Sequence, residues 1–415
     1  MIVLEQIIKN EYANHWPKLT SKVAVCMSGG VDSSVAAYLL TNKGYETIGL
    51  TGWLIKGAGR CCDNGMVDAA KVSEELNIQH ISKDLRIFFK QEIVDPFIAS
   101  YSIGSTPIPC ITCNNVIKWG SLMNYAFSEL GCTHIATGHY ARIIHDVIKT
   151  RTPSTSVCKD LLRGSDPIYK IARPKDTKKD QTFMLWGLTQ EVLSKTVFPL
   201  GELTKEEVRE IAKEANLIVA DKEESQDICF VSDKEGTQEF LSKFLDKKEG
   251  CIIESKTGKV LGMHQGTQNY TIGQRKGLGI AYSEPLYVIE LDVENNIVYA
   301  GTQEELEGYE LIAKDVNWVS PVIARRHEVA TKQSRTNSQS AIETASGLLA
   351  PRSDTIRVMA KIRYNSKTSP AKVELLSDNK VKVIFDKPQS AITPGQACVF
   401  YDESDQILLG GGWIC

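Results

Sequence analysis

The string Ser28-Gly29-Gly30-Val31-Asp32-Ser33-Ser34 constrains this chain more than any other part of it. An apolar run, Lys22–Met27 (KVAVCM), precedes it and reads as a buried strand. A stretch from about Asp32 to Lys43 follows and reads as a helix. Two glycines at the junction let the backbone approach an anion and adopt angles closed to other residues. The helix start then points free N–H groups and a positive dipole end at that anion. Ser28, Ser33 and Ser34 add hydroxyl donors. A carboxylate among phosphate donors calls for a cation, so Asp32 points to Mg²⁺ bridging to a pyrophosphate group. A Walker loop would carry a lysine here, and this loop has none. A serine-capped glycine turn accounts for SGG alone, but not for seven such residues between a strand and a helix.

The surrounding pattern is that of an α/β domain. Thr47–Thr51, Gln79–Ser82 and His134–Thr137 read as further strands. Met66–Leu76 and a long stretch from about Leu85 read as helices. Such alternation implies a parallel sheet with helices on both faces. Thr204 and Glu207 form a capping box, and Asn216 reads as the stop of that helix. After about residue 222 glycines, β-branched residues and turn signals take over. PLYVIELDVENNIVYAG, AKVELLSDNKVKVIF and ACVFYDESDQILLGGGWI each read as a strand pair around a polar turn. The expected division is an α/β phosphate-loop domain over 1–222, a small β-rich domain over 223–285 and a β-barrel-like domain over 286–415. Residues 326–353, rich in Ser, Thr, Ala and Arg, read as a mobile insertion.

Composition narrows the function classes. No apolar run is long enough to span a membrane. The first residues resemble neither a signal peptide nor a basic transit peptide. The net charge of −3 gives no global case for nucleic-acid binding, so any RNA contact rests on local clusters. Lys170, Arg173, Lys175, Lys178 and Lys179 form one; Arg275 with Lys276 and Lys361 with Arg363 form others. A run of charge is by itself an ordinary solvated face. The 11 cysteines are odd in number and scattered, which argues for reduced thiols in the cytoplasm.

Three cysteines stand apart. Cys110 and Cys113 precede an apparent helix (NVIKWGSLMNYAFSEL), where a thiolate is favoured, and Cys229 lies in SQDICF. One CxxC is a weak sign of zinc, redox or iron–sulfur chemistry. Cys26, Cys132, Cys158, Cys251, Cys398 and Cys415 read as buried and inert, and adjacent Cys61 and Cys62 carry no metal-binding pattern.

The chain resembles the tRNA-specific 2-thiouridylase family of the PP-loop, or N-type ATP pyrophosphatase, superfamily. The resemblance rests on AVCMSGGVDSSV, CNNVIKW, ATGHYAR, KDQTFMLW, FPLGELTKEEVREIA, SQDICF, YTIGQRKGLGI, KIRYN and TPGQACVFY with LLGGG. Only the first twenty residues and 326–353 fall outside it. It implies an ATP site at Cys26, Met27, Ser28, Gly29, Gly30, Val31, Asp32 and Ser33, with Gly52 and Gly138 as further contacts. It implies Cys113 as nucleophile and Cys229 as carrier of a persulfide, the two ending as a disulfide. It implies tRNA contacts at His139, Lys179, Asp180, Gln181, Arg363, Tyr364 and Gln396. A cysteine desulfurase or sulfur-relay protein would be the donor. Cys110 departs from the family, many of whose members carry aspartate there. Cys110, Cys113 and Cys229 would also suit a [4Fe–4S] cluster with one open iron, so two sulfur routes stand side by side. A PP-loop amidotransferase or ligase would share the loop without needing the cysteines. A non-catalytic RNA-binding protein would need neither.

The expected reaction adenylates the C2 oxygen of a wobble uridine and replaces it with sulfur. If tRNA binds through phosphate contacts, its affinity falls steeply as salt rises. Filter binding across a salt series checks this, and a flat response opposes direct tRNA contact.

Overall fold

The computed structural model describes residues 16–57, 63–146, 167–223, 228–231, 236–321, 323–324 and 355–415. The Cys61–Cys62 pair, Cys158, the Ser225–Asp227 part of SQDICF and the insertion expected at 326–353 lie outside the described residues.

Strands β1 (Lys22–Cys26), β2 (Glu46–Trp53), β3 (Gln79–Asp84) and β4 (His134–Thr137) come first in the chain. A hairpin, β5 (Arg142–Asp146) and β6 (Ile168–Ala172), separates them from β7 (Thr196–Val197). Strands β1–β4 and β7 form one parallel sheet in the order β3-β2-β1-β4-β7. Strand order reverses between β1 and β4, and ligands of open α/β sheets bind in the crevice at such a point. The register pairs Cys26 with both Leu50 and Thr137, so three strand ends open side by side.

Helices cover both faces, as the alternation implies. Helix α1 (Val31–Asn42) is buried along most of its length, because Val35, Ala36, Ala37, Leu39 and Leu40 are all apolar. It shares a core with Val208 and Ile211 of a capped helix described below. Helix α2 is Asp63–Glu75. On the opposite face, Leu50 packs with Phe89, Phe97, Ile117 and Leu122. These come from two long helices, α3 (residues 86–102) and α4 (residues 109–128), and each widens midway into a π-helical stretch, Lys90–Val94 and Asn114–Leu122. Helix α5 (Lys205–Glu214) starts in the expected capping box, with both bonds present. Asn216 takes φ +50 just past its end, the left-handed angle that asparagine tolerates at a helix stop.

The second sheet orders β10 (Tyr287–Asp292), β11 (Ile297–Gly301), β8 (Gly250–Glu254) and β9 (Val260–His264) side by side. It therefore runs on beyond residue 285, where the sequence reading placed a boundary. Strands β12 (Glu307–Trp318), β13 (Thr355–Lys361), β14 (Ser369–Leu375), β15 (Val381–Ser390), β16 (Ala397–Tyr401) and β17 (Ile407–Ile414) close into a barrel through β12–β17 pairing. The hairpin β5–β6 joins this barrel's sheet at β17, so the first domain lends it two strands.

The three domains meet just ahead of α4. Thr106 donates its N–H to Pro394 O at 3.0 Å, and Gln396 Nε2 donates to Thr106 O at 2.7 Å. Arg363 Nη2 donates to Ile272 O, Ala391 O and Thr393 Oγ1 at 3.1, 2.9 and 3.0 Å. Thus Arg363 and Gln396, expected at tRNA-facing positions, spend these donors tying domains together. Replacing Arg363 by Met takes the guanidinium donor from Ile272 O and Thr393 Oγ1, while Ala391 O still accepts from the Thr393 hydroxyl at 2.9 Å. Expected is a loss of about 2 kcal/mol or more in stability, read by chemical denaturation. An unchanged midpoint would deny Arg363 this clamping role.

Candidate active site

The phosphate loop leaves the end of β1 and enters α1 as expected. Gly29 takes φ +70, and a side chain there would strike the Gly65 carbonyl. Ser28 N–H donates to Ser33 Oγ at 3.2 Å, and Ser33 Oγ donates to Gly30 O at 3.1 Å. Gly138, at the end of β4, lies flat on the first turn of α1. A Cβ there would stand 2.7 Å from Asp32 C and Ser33 N. Only glycine allows the two strand ends to close on one ligand.

A cavity of about 230 Å³ opens at this junction. Cys26, Met27, Ser28, Asp32, Ser33, Gly52 and Gly138 line it, as does the expected nucleophile Cys113. Gly29, Gly30 and Val31 complete the loop; Gly30 and Val31 face a second cavity described below. The cysteine reaches the first cavity through the shape of α4. That helix begins at Pro109, a turn earlier than the sequence suggested, so Cys113 sits inside it and not at its N-terminus. Beyond Cys113 the bonding widens to i→i+5. Cys113, Ile117, Lys118 and Leu122 then fall on one face, and all four line the cavity.

Cys113 and Cys229 both pack, partly buried, against the apolar core that includes Phe97 and Phe230. Cys110 is exposed; burial, then Asp180 and then Cys110, pushes the nearby Tyr364 hydroxyl up. Among the described residues no three His, Cys, Asp or Glu side chains are grouped to hold a metal. As they stand, Cys110, Cys113 and Cys229 do not form such a group. The bland reading of the other cysteines holds for buried Cys132 and Cys398. It fails for Cys415, which is exposed, and for Cys251, which is half-buried. Cys26 lines the cavity, with burial pushing its thiol up to about 12.

One oxygen of Asp32 is already engaged by protein donors. Its Oδ1 accepts from Lys205 Nζ at 2.7 Å and from the Tyr140 hydroxyl at 2.9 Å. One carboxylate with nucleotide oxygens is a usual donor set for Mg²⁺, so the ion fits only together with the nucleotide. The second cavity, of about 450 Å³, lies across the loop from the first and shares Ser28, Asp32, Ser33 and Gln181 with it. Lys178, Lys179, Lys205 and Lys222 line it, with Tyr364 at its edge. Lys222 also donates to Gly29 O at 2.8 Å and pairs with Asp68 at 2.6 Å.

The other expected RNA contacts divide. Lys179, Gln181 and Tyr364 face this basic cavity. Asp180 is buried, paired with Arg173 and accepting from Thr182 N–H and Oγ1 at 2.9 and 2.6 Å. Arg173 is itself occupied by Asp180, Asp405 and the Tyr401 ring, so it leaves the expected basic cluster. His139 is only 7% exposed and lines the first cavity. Burial, then the Lys118 charge, holds its pKa well below the usual value, so the ring is neutral near pH 7. Sequence reasoning assigned no role to Lys118, Tyr140, Lys205 or Lys222. One signal was available: Lys205 follows the N-cap of α5 directly, where a helix dipole disfavours a cation.

Fold and site together define a nucleotide-binding enzyme with a phosphate loop at a sheet switch point and a cysteine facing it. Family models agree domain by domain: a tRNA methyl transferase HUP domain matches residues 21–233, a tRNA methyl transferase PRC-barrel domain 238–302, and an aminomethyltransferase beta-barrel domain 343–414. The chain is 45% identical over 393 residues to the tRNA-specific 2-thiouridylase MnmA of Nostoc punctiforme, covering 95% of this chain and 98% of that one. Against the Synechocystis protein of the same name the identity is 40%, covering 96% and 98%. A solved structure of the U34-tRNA thiolase NcsA from Methanococcus maripaludis, with its [4Fe-4S] cluster, is similar at 21% identity and a TM-score of 0.34, covering 58% of this chain and 69% of that one. The chain belongs to the tRNA-specific 2-thiouridylase family.

Replacing Gly138 by Ala pushes a methyl group into the first turn of α1. ATP affinity is expected to fall by at least about tenfold, or ~1.4 kcal/mol. Equilibrium dialysis with labelled ATP reads this, with circular dichroism to confirm folding. Undiminished binding would mean that the nucleotide does not sit at this junction.

Proposed function

We propose that this chain replaces the C2 oxygen of a tRNA wobble uridine with sulfur, converting ATP to AMP and pyrophosphate. One observation carries the chemistry: Cys113 and the phosphate loop line the same cavity. Reaction at C2 requires the uridine to leave its stack and enter that cavity. Its C2 oxygen attacks the α-phosphorus, forming an oxygen–phosphorus bond as pyrophosphate departs. The four-lysine cavity across the loop suits the charge of pyrophosphate. Mg²⁺, entering with ATP, would be held by Asp32 and would neutralise phosphate charge. Adenylation turns a poor leaving group into AMP.

Sulfur reaches C2 by the persulfide route in this reading. Cys229 carries the outer sulfur, supplied by a cysteine desulfurase or relay protein. The Cys113 thiolate attacks the inner sulfur, and hydrosulfide leaves with the bond's electron pair. That hydrosulfide attacks C2 and AMP departs. The resulting Cys113–Cys229 disulfide is reduced by a thiol before the next turnover. The apolar core against which both cysteines pack supports this pairing, and the lack of a three-residue metal-holding group among the described residues favours it over an iron–sulfur route. The described residues include no helix long and apolar enough to cross a membrane, and the cytoplasm is the proposed site of action.

Mass spectrometry of anticodon nucleosides tests the reading, after incubation with unmodified tRNA, ATP and a sulfur source. Wild type is expected to yield 2-thiouridine, Cys113→Ala and Cys229→Ala none, and Cys110→Ser most of the wild-type amount. Full thiolation by either alanine variant would refute the assignment of that cysteine. Iron and labile sulfide recovered from active, anaerobically purified protein would restore the cluster route.

A further inference from the structure

We infer that Lys118 is a catalytic residue of this site, the cation that faces the activated α-phosphate, and that His139 is the residue that positions it. The inference rests on the thiolation reading above. Among the described residues, Lys118 is the single lysine or arginine that lines the first cavity. The four lysines of the second cavity lie across the loop, on the side assigned to pyrophosphate. The wall beside Lys118 is apolar, formed by Leu50, Leu54, Ile117 and Leu122. In such surroundings one fixed charge acts strongly on charge that develops nearby.

That charge is dictated by the reaction. Adenylation leaves an anionic phosphodiester bonded to C2. When sulfur attacks, the carbon–oxygen bond breaks and its electron pair goes to the oxygen of departing AMP. Pyrophosphate and its lysines play no part in this second step. Lys118 stands on the same π-helical face as Cys113, so the cation and the nucleophilic cysteine flank one space.

A flexible lysine needs a fixed partner to act as a preorganised charge. Lys118 Nζ lies 3.3 Å from His139 Nε2, and His139 Nδ1 lies 2.7 Å from Thr137 Oγ1. An ammonium group only donates, so Nε2 accepts and the ring proton sits on Nδ1, directed at Thr137. Trp119 and Phe198 hold the imidazole, with ring centroids 5.5 and 6.0 Å away. Trp119 is fixed in turn by its indole N–H, which donates to Thr196 Oγ1 at 2.9 Å. His139 is thus anchored on three sides and offers its free lone pair to Lys118.

The test uses the full chain with tRNA, ATP and a sulfur source, measuring 2-thiouridine formation and the KM for ATP. Lys118→Met is expected to lower turnover about 100-fold, with a smaller effect on KM, and Lys118→Arg to recover part of the loss. His139→Ala is expected to lower turnover about tenfold, and the double variant to be no slower than Lys118→Met alone. Thermal melts confirm folding, and His139→Asn replaces the alanine variant if that one unfolds. Wild-type turnover in Lys118→Met overturns the role of the lysine. Additive losses in the double variant overturn the positioning role of the histidine. Absence of 2-thiouridine from wild type itself overturns the thiolation reading and this inference with it.

Discussion

The close approach of Gly138 to the first turn of α1 is the contact on which the site depends. It lets the end of β4 lie against the phosphate loop, where sheet order reverses. Because β1 pairs with both β2 and β4, one crevice gathers the phosphate donors, Gly52 and His139. Side chains at these places would hold the strand ends apart. At Gly138 the requirement is close approach; at Gly29 it is also a left-handed backbone angle. Helix α4 then needs only to bring its cysteine to a crevice already formed.

The local logic of the fold was legible from residue types. The capping box of Thr204 and Glu207, the stop at Asn216 and the strand His134–Thr137 follow from side-chain chemistry within a few positions. The late hairpins follow from alternation around polar turns, and they appear as β10–β11, β14–β15 and β16–β17. Much of the site was legible too, because a phosphate loop is a contiguous device. What stayed hidden is what depends on distant partners. Lys205 meets Asp32 across 173 positions, and Gln396 meets Thr106 across 290. No local pattern distinguishes such a lysine from one on a solvated face. The burial of His139 and Asp180 was hidden for the same reason, since a polar residue in a motif reads as accessible until its neighbours are known.

The widened stretch of α4 shows how a small departure from regular helix geometry serves chemistry. With i→i+4 bonding throughout, residues five apart diverge around the helix. The i→i+5 turns bring Cys113 and Lys118 to the same side while Trp119 stays in the core, closing over His139. Asn114 secures the start of the stretch by donating to Met184 O at 2.9 Å. The strain of such bonding is offset by packing from both directions, with Ile117 in one core and Trp119 in another.

The hairpin β5–β6 has a mechanical consequence. It grows from the end of β4, immediately after Gly138 and His139, yet its strands are stitched into the sheet of the C-terminal barrel. The barrel also grips the stem of α4 through Pro394 and Gln396. The strand end that closes on the nucleotide loop and the segment that leads into the cysteine helix are therefore both tied to one barrel. A substitution that loosened the barrel would thus be felt at Gly138 and at Cys113 together.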